Sequence, residues 1–152
     1  MELAKSIIKK ANKLDVNLLL PVDSVNANDF NNNADIKNSD ITSVQDGYMG
    51  LDIGEKSIQT FSETIENSKT IIWNGPMGVF EMSNFEKGTK NIGAAICRAT
   101  EKGAFSLIGG GDSVAAINKF EMEGQVSYIS TGGGAMLKYL EGKELPGLKA
   151  IL

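Results

Sequence analysis

Apolar positions along this chain follow two rhythms: a three-to-four-residue spacing and short unbroken runs. Leu3, Ile7, Ile8, Ala11 and Leu14 form a helical stripe over residues 2–14, with lysines on the other face. Val16 and Leu18-Leu19-Leu20, followed by Pro21-Val22, make a continuous run that predicts a strand buried on both faces. Residues 23–50 are rich in Asn and Asp, which is loop chemistry, with Ile41-Thr42-Ser43-Val44 as a short edge strand inside it. From there the alternation is regular. Helices are predicted over 55–68 (Ile58, Phe61 and Ile65 inward), 85–102 (Phe85, Ile92, Ala95, Ile96 and Ala99 inward), 113–120 and 135–140. Between them Thr70–Trp73, Phe105–Ile108 and Val126–Ile129 read as strands.

Strands alternating with helices imply right-handed crossovers and an α/β fold. The expected architecture is a Rossmann-like, three-layer parallel sheet with helices on both faces. Ligands of such sheets sit at the carboxyl ends of the strands. The first helix starts almost at residue 1, without a preceding loop or N-cap, so the chain is expected to open inside a domain rather than at its start.

Composition narrows the classes. At 152 residues and 41% hydrophobic, the chain can bury one core, as one domain or part of one. Its formal charge of -4 makes it a poor bulk binder of nucleic acid or anionic membrane. Any phosphate must then be held by backbone amides, helix ends and metal more than by lysine clusters. The apolar runs are too short for a membrane span, and the first residues lack a signal-peptide core. The lone Cys97 excludes an intrachain disulfide, fits a reducing, cytoplasmic setting and reads as a buried helix residue. Histidine is absent, so neither a histidine base nor a Ser-His or Cys-His pair is possible.

The chemistry concentrates in three glycine turns, each following a strand and leading into a helix: Asn74–Gly78, Gly109–Ser113 and Ser130–Gly134. Bare amides beside a positive helix end suit phosphate. Asp112 reads either as a carboxylate for magnesium or, with Ser113, as an N-cap. Neither the Walker A pattern nor the dinucleotide glycine pattern is present. Trp73 reads as core. Glu81 could accept hydrogen bonds from ribose, although position alone favours a solvated carboxylate. Tyr48–Gly54 could wall an adenine pocket or turn from a strand into the helix at 55. Phosphoryl transfer to or from a carboxylate needs no histidine base, because that nucleophile is already ionised near neutral pH.

These residues resemble phosphoglycerate kinase. Trp73–Glu81, Ile108–Ser113 and Ser130–Ala135 look like that family's signature loops. Leu20–Asp23, Gly50–Gly54 and Leu140–Gly147 agree in the family's order, so the resemblance spans essentially the whole chain. It implies a two-domain kinase that moves a phosphoryl group between 1,3-bisphosphoglycerate and ADP, or 3-phosphoglycerate and ATP, with Mg2+. Residues 1–152 would be the carboxy-terminal part of the nucleotide-binding domain.

By this resemblance Gly50, Leu51 and Phe30 would line the adenine pocket, with Asn74, Pro76 and Val79 bordering the nucleotide and Glu81 on its ribose. Gly110 and Gly111 would offer amides to phosphates, Asp112 would serve Mg2+, and Ser113 stands where many relatives carry threonine. Gly132, Gly133 and Gly134 would face the transferring group, making Gly111, Gly133 and Gly134 the catalytic set. The phosphoglycerate-binding domain and the family's lysine-bearing glycine loop have no counterpart here, so the chain alone is expected to be inactive. The Asn-rich stretch 26–38 also departs from the family pattern around Phe30. The alternatives are a non-catalytic Mg-nucleotide-binding module or an interaction fragment. Nucleic acid and membrane are not expected partners, and the full-length family form is expected to be a monomer.

Overall fold

A computed structural model describes residues 2–150. Its elements run α1 (Glu2–Lys13), β1 (Asp23–Ala27), β2 (Ile36–Asp40), β3 (Met49–Ile53), α2 (Glu55–Glu66), β4 (Thr70–Trp73) and α3 (Lys87–Glu101). They continue with β5 (Phe105–Ile108), α4 (Gly111–Lys119), a 3-10 turn (Glu123–Gln125), β6 (Tyr128–Ile129), α5 (Gly134–Leu140) and α6 (Pro146–Lys149).

The parallel sheet, ordered β4-β5-β6, is the α/β core the alternation implied. Trp73, Ile108 and Ile129 stand in register across it. With Ile71 they point to the face covered by Ile92 and Ile96 of α3 and Ala116 and Ile117 of α4. Side chains alternate across a strand, so Ile72, Phe105 and Tyr128 point to the opposite face and are exposed. Cys97 is buried on α3 and Trp73 is core, as expected. Among the described residues no helix is long and apolar enough to cross a membrane.

Three expectations are corrected. The run Val16–Val22 is not a strand: it is irregular, with a bend at Val22, and is paired with no strand among the described residues, and Val16, Leu18, Leu20 and Val22 are exposed. A buried strand needs a continuous ladder as well as apolar side chains, and here, among the described residues, the run's only backbone bond beyond α1 is from the Ile41 amide to Val22 O (2.9 Å). The stripe of α1 is likewise formed but uncovered, with only Ala11 buried.

Second, residues 23–50 are not simply loop. They supply an antiparallel sheet, ordered β2-β1-β3. Its strands are polar because β2 is an exposed edge and β1 uses Asn26 and Ser24 as buried hydrogen-bonding groups. The Asn and Asp residues between β1 and β2 close the connection on themselves: the Asp35 amide donates to Asn28 Oδ1 (3.0 Å) and the Asn33 amide to Asn31 Oδ1 (2.8 Å). Third, the edge strand expected at 41–44 lies at 36–40, and Tyr48–Gly54 is mainly strand β3 rather than a turn.

Candidate functional site

The three glycine turns leave the sheet side by side. Past the strand ends the ladder runs on, with the Gly109 amide donating to Trp73 O (2.9 Å) and the Ser130 amide to Ile108 O (2.8 Å). The first two turns are also fastened to each other, because the Gly75 amide donates to Ser113 Oγ (2.6 Å). Ser113 is fully buried, so its hydroxyl serves as a staple between the turns. Gly110 has φ 89° and ψ 140°, a conformation open to glycine, and a Cβ there would sit 2.4 Å from Asn74 Oδ1.

Helix α4 begins at Gly111, two residues earlier than expected, with Gly110 at the cap. Neither Asp112 nor Ser113 caps it: Ser113 is held by Gly75, and Asp112 lies exposed in the first turn. The first helical bond runs from the Val114 amide to Gly110 O (3.1 Å), which leaves the amides of Gly111 and Asp112 ahead of the ladder and free for an anion. In the third turn Gly133, at φ 44°, precedes α5, which starts at Gly134.

Against the first of these turns lies a cleft of about 330 Å³. Gly50 and Leu51 of β3 form one wall, and Pro76, Gly78 and Val79 form the other. The walls are joined where the Val79 amide donates to Leu51 O (2.8 Å). Under them sits a small core in which Phe85 is fully buried against Ala27 and Leu51, with Val79 and Met82 packed on it. The fold thus gathers Gly50, Leu51, Pro76 and Val79 in one cleft. Asn74 and Glu81 are exposed at either end of the 74–81 loop.

Phe30 does not line this cleft. It is 59% exposed on the β1–β2 connection. That connection is tied instead to the segment after Glu81, with the Asn32 side chain bonded to Ser83 Oγ (3.2 Å) and to the Asn84 amide (3.0 Å). The Asn-rich turn therefore carries Phe30 outward.

Three further side chains hold the site, and no role was expected for them, although Asp52 lies within the Gly50–Gly54 motif. Thr89 of α3, fully buried, accepts from the amides of Met77 (3.1 Å) and Gly78 (3.3 Å) through Oγ1. Lys119 of α4 donates to Phe80 O (2.5 Å) and to Glu86 Oε2 (2.7 Å), pinning the far end of the loop. Asp52 of β3 is buried and accepts from the Gly88 amide (2.7 Å) and its neighbour Ile53 (2.8 Å). Burial raises its pKa to about 6, against the lowering effect of those two amides. Each depends on contacts between residues distant in sequence, which local pattern does not carry.

Among the described residues no cluster of three or more His, Cys, Asp or Glu could cage a metal. Mg2+ in phosphate sites takes one or two carboxylates, with phosphate oxygens and water completing the shell. The lone, exposed Asp112 beside free helix-start amides fits that donor set. A larger open depression of about 580 Å³ lies between α3 and the 3-10 turn, lined by Cys97, Arg98 and Val126 among others. Arg98 is paired there with Glu66 and Thr100 with Ser106, and the depression touches none of the glycine turns.

Comparison with known proteins agrees on one family. The family model for phosphoglycerate kinase matches residues 1–143. The phosphoglycerate kinase of Porphyromonas gingivalis is 53% identical over 151 residues, covering 99% of this chain and 36% of the relative. Phosphoglycerate kinase 3, cytosolic, of Arabidopsis thaliana is 51% identical, covering 99% and 38%. The solved phosphoglycerate kinase of Coxiella burnetii superposes with a TM-score of 0.91 at 38% identity, over 97% of this chain and 38% of that one. That of Pyrococcus horikoshii gives 0.72 at 34% identity, over 95% and 38%. The chain thus spans a little over a third of the length of the proteins it matches.

Proposed function

This chain belongs to the phosphoglycerate kinase family, and we propose that residues 1–152 form the carboxy-terminal part of its nucleotide-binding domain and supply the nucleotide side of the phosphoryl-transfer site. The observation that carries this reading is a cleft walled by the first glycine turn, which is itself stapled to the amide-rich second turn. Gly50, Leu51, Pro76 and Val79 offer a slot for a flat base, while Gly110 and Gly111 offer amides where the polyphosphate would run. Glu81, exposed at the end of the loop, would accept the ribose hydroxyls. Asp112 would hold Mg2+, which when bound supplies charge neutralisation between phosphate oxygens.

Gly132, Gly133 and Gly134 would face the transferring group at the start of α5, although the Gly132 amide donates to Ser130 Oγ (3.3 Å). The parallel register of β4, β5 and β6 keeps the turns in one row, so the chain contributes orientation and hydrogen-bond donors rather than a proton-transferring base. The family's overall reaction, ATP or ADP exchanging a phosphoryl group with 3-phosphoglycerate or 1,3-bisphosphoglycerate in the cytoplasm, needs an acceptor site that these residues do not provide.

Calorimetry with MgADP on the wild-type chain and Asp112→Ala tests the reading. Binding in the wild type that weakens about tenfold or more in the variant supports it. No binding in either rejects it. A coupled kinase assay on the 152-residue chain is expected to give no turnover, and sustained turnover would refute the division of labour.

A further inference from the structure

We propose that Asp52 is a positioning residue for the nucleotide cleft: its carboxylate fixes the Gly78–Val79 wall against the start of α3. The inference rests on the nucleotide reading given above and deepens it. Asp52 lies on the strand that forms the opposite wall, one residue past Leu51, so a single side chain spans the two sides of the cleft. Its Oδ2 accepts the Gly88 amide at 2.7 Å, at the first turn of α3, where an anion is favoured by the helix end. Both facing positions are glycines packed onto it. A Cβ on Gly78 would fall 2.3 Å from Oδ1, and one on Gly88 2.1 Å from the same atom. The carboxylate therefore fills a slot that only glycines on the loop and the helix leave open.

The contact depends on ionisation. As a carboxylate, Asp52 accepts from Gly88 with one oxygen and from Ile53 with the other. Protonation turns one oxygen into a hydroxyl, a weaker acceptor with a proton of its own to place. Burial raises the pKa to about 6, which brings this change close to physiological pH. The charged side chains of the elements packed around it are engaged elsewhere or exposed. Asp23 of β1 accepts from the amides of Lys56 and Ser57, Lys87 pairs with Glu55, and Glu86 pairs with Lys119. Farther along α3, Lys90 lies over the Phe120 ring, Arg98 pairs with Glu66 and Glu101 is exposed, as is Glu81 in the loop. No charged side chain contributes to the Asp52 shift, so the group titrates against burial and two amides alone.

The experiment compares MgADP affinity of the wild-type chain and Asp52→Asn between pH 5 and pH 7.5. Taking the ratio of the two affinities removes the titration of the nucleotide's own phosphates. The wild type is expected to bind severalfold tighter at pH 7.5, with the ratio approaching one at pH 5. A ratio of one throughout, or a deficit in the variant that does not change with pH, overturns the proposal. Hydrogen-exchange protection factors at the Gly88 and Val79 amides are measured in parallel. Protection in the wild type at pH 7.5 that is lost in Asp52→Asn is expected, and equal protection overturns the proposal. If the wild type binds no MgADP at any pH, the nucleotide reading fails, and exchange alone decides whether Asp52 holds the wall.

Discussion

Gly110 and Gly111 are adjacent, both expected to serve phosphates, yet the structure assigns them opposite responses to the same substitution. Gly110 has φ 89° and ψ 140°, a region that costs an ordinary residue about 1–3 kcal/mol. Its Cβ would also fall 2.4 Å from Asn74 Oδ1, the end of an exposed side chain that can rotate away at small cost. Gly110→Ala should therefore lose about 1–3 kcal/mol of stability, mostly as backbone strain. Gly111 is the first residue of α4, with a helical backbone and open space where a Cβ would stand. Alanine exceeds glycine in helix propensity by up to about 1 kcal/mol, so Gly111→Ala should be neutral or stabilising.

Binding should separate from stability at the second position. The methyl group would occupy the space through which a phosphate approaches the Gly111 and Asp112 amides. Gly111→Ala should then weaken MgADP about tenfold, or about 1.4 kcal/mol, while folding as well as the wild type. Urea unfolding gives the stabilities and calorimetry the affinities. A second check uses Asn74→Ala in the Gly110→Ala background, which should recover the steric share of the loss and leave the backbone share. The reasoning is refuted if Gly110→Ala is as stable as the wild type, or if Gly111→Ala binds MgADP normally.

Further outcomes follow from the scaffold. Thr89→Val keeps the shape of a buried side chain but leaves the Met77 and Gly78 amides without their acceptor, so urea unfolding should register a loss of about 1–3 kcal/mol. Burial opposes ionisation of Asp23, but the Ser57 hydroxyl and the amides of Lys56 and Ser57 outweigh it and lower its pKa. Its contribution is thus present above the ordinary carboxylate value of 3.8 and lost as pH falls through the lower folded value. Asp23→Ala should cost about 1 kcal/mol at pH 7 as a lost helix cap and flatten the acid limb of a stability–pH curve. An acid limb identical to the wild type would count against that cap. Among the described residues the β4 edge is unpaired and flanks an exposed apolar sheet face, so the isolated chain should self-associate, and Ile72→Lys should shift it toward monomer in sedimentation velocity. Monomeric wild type at all concentrations would contradict this.

The α/β alternation was readable from the residues alone, because period and run length are local properties. Thr70–Trp73 and Phe105–Ile108 were legible to the residue, as strands bounded by turn residues usually are. The glycine turns were legible too, since three costly clusters recur at strand ends. Local pattern could not give pairing. Val16–Leu20 has the side chains of a buried strand and lacks a neighbour, whereas Asp23–Ala27 and Ile36–Asp40 are polar and form a sheet because each finds one. Tertiary structure also decided which side chains serve the cleft. It turned Ser113 into a staple and carried Phe30 outward. It set Thr89, Lys119 and Asp52, drawn from three separate elements, behind the walls. Their roles rest on a hydrogen bond or a burial cost that exists only once residues more than ten positions apart are neighbours.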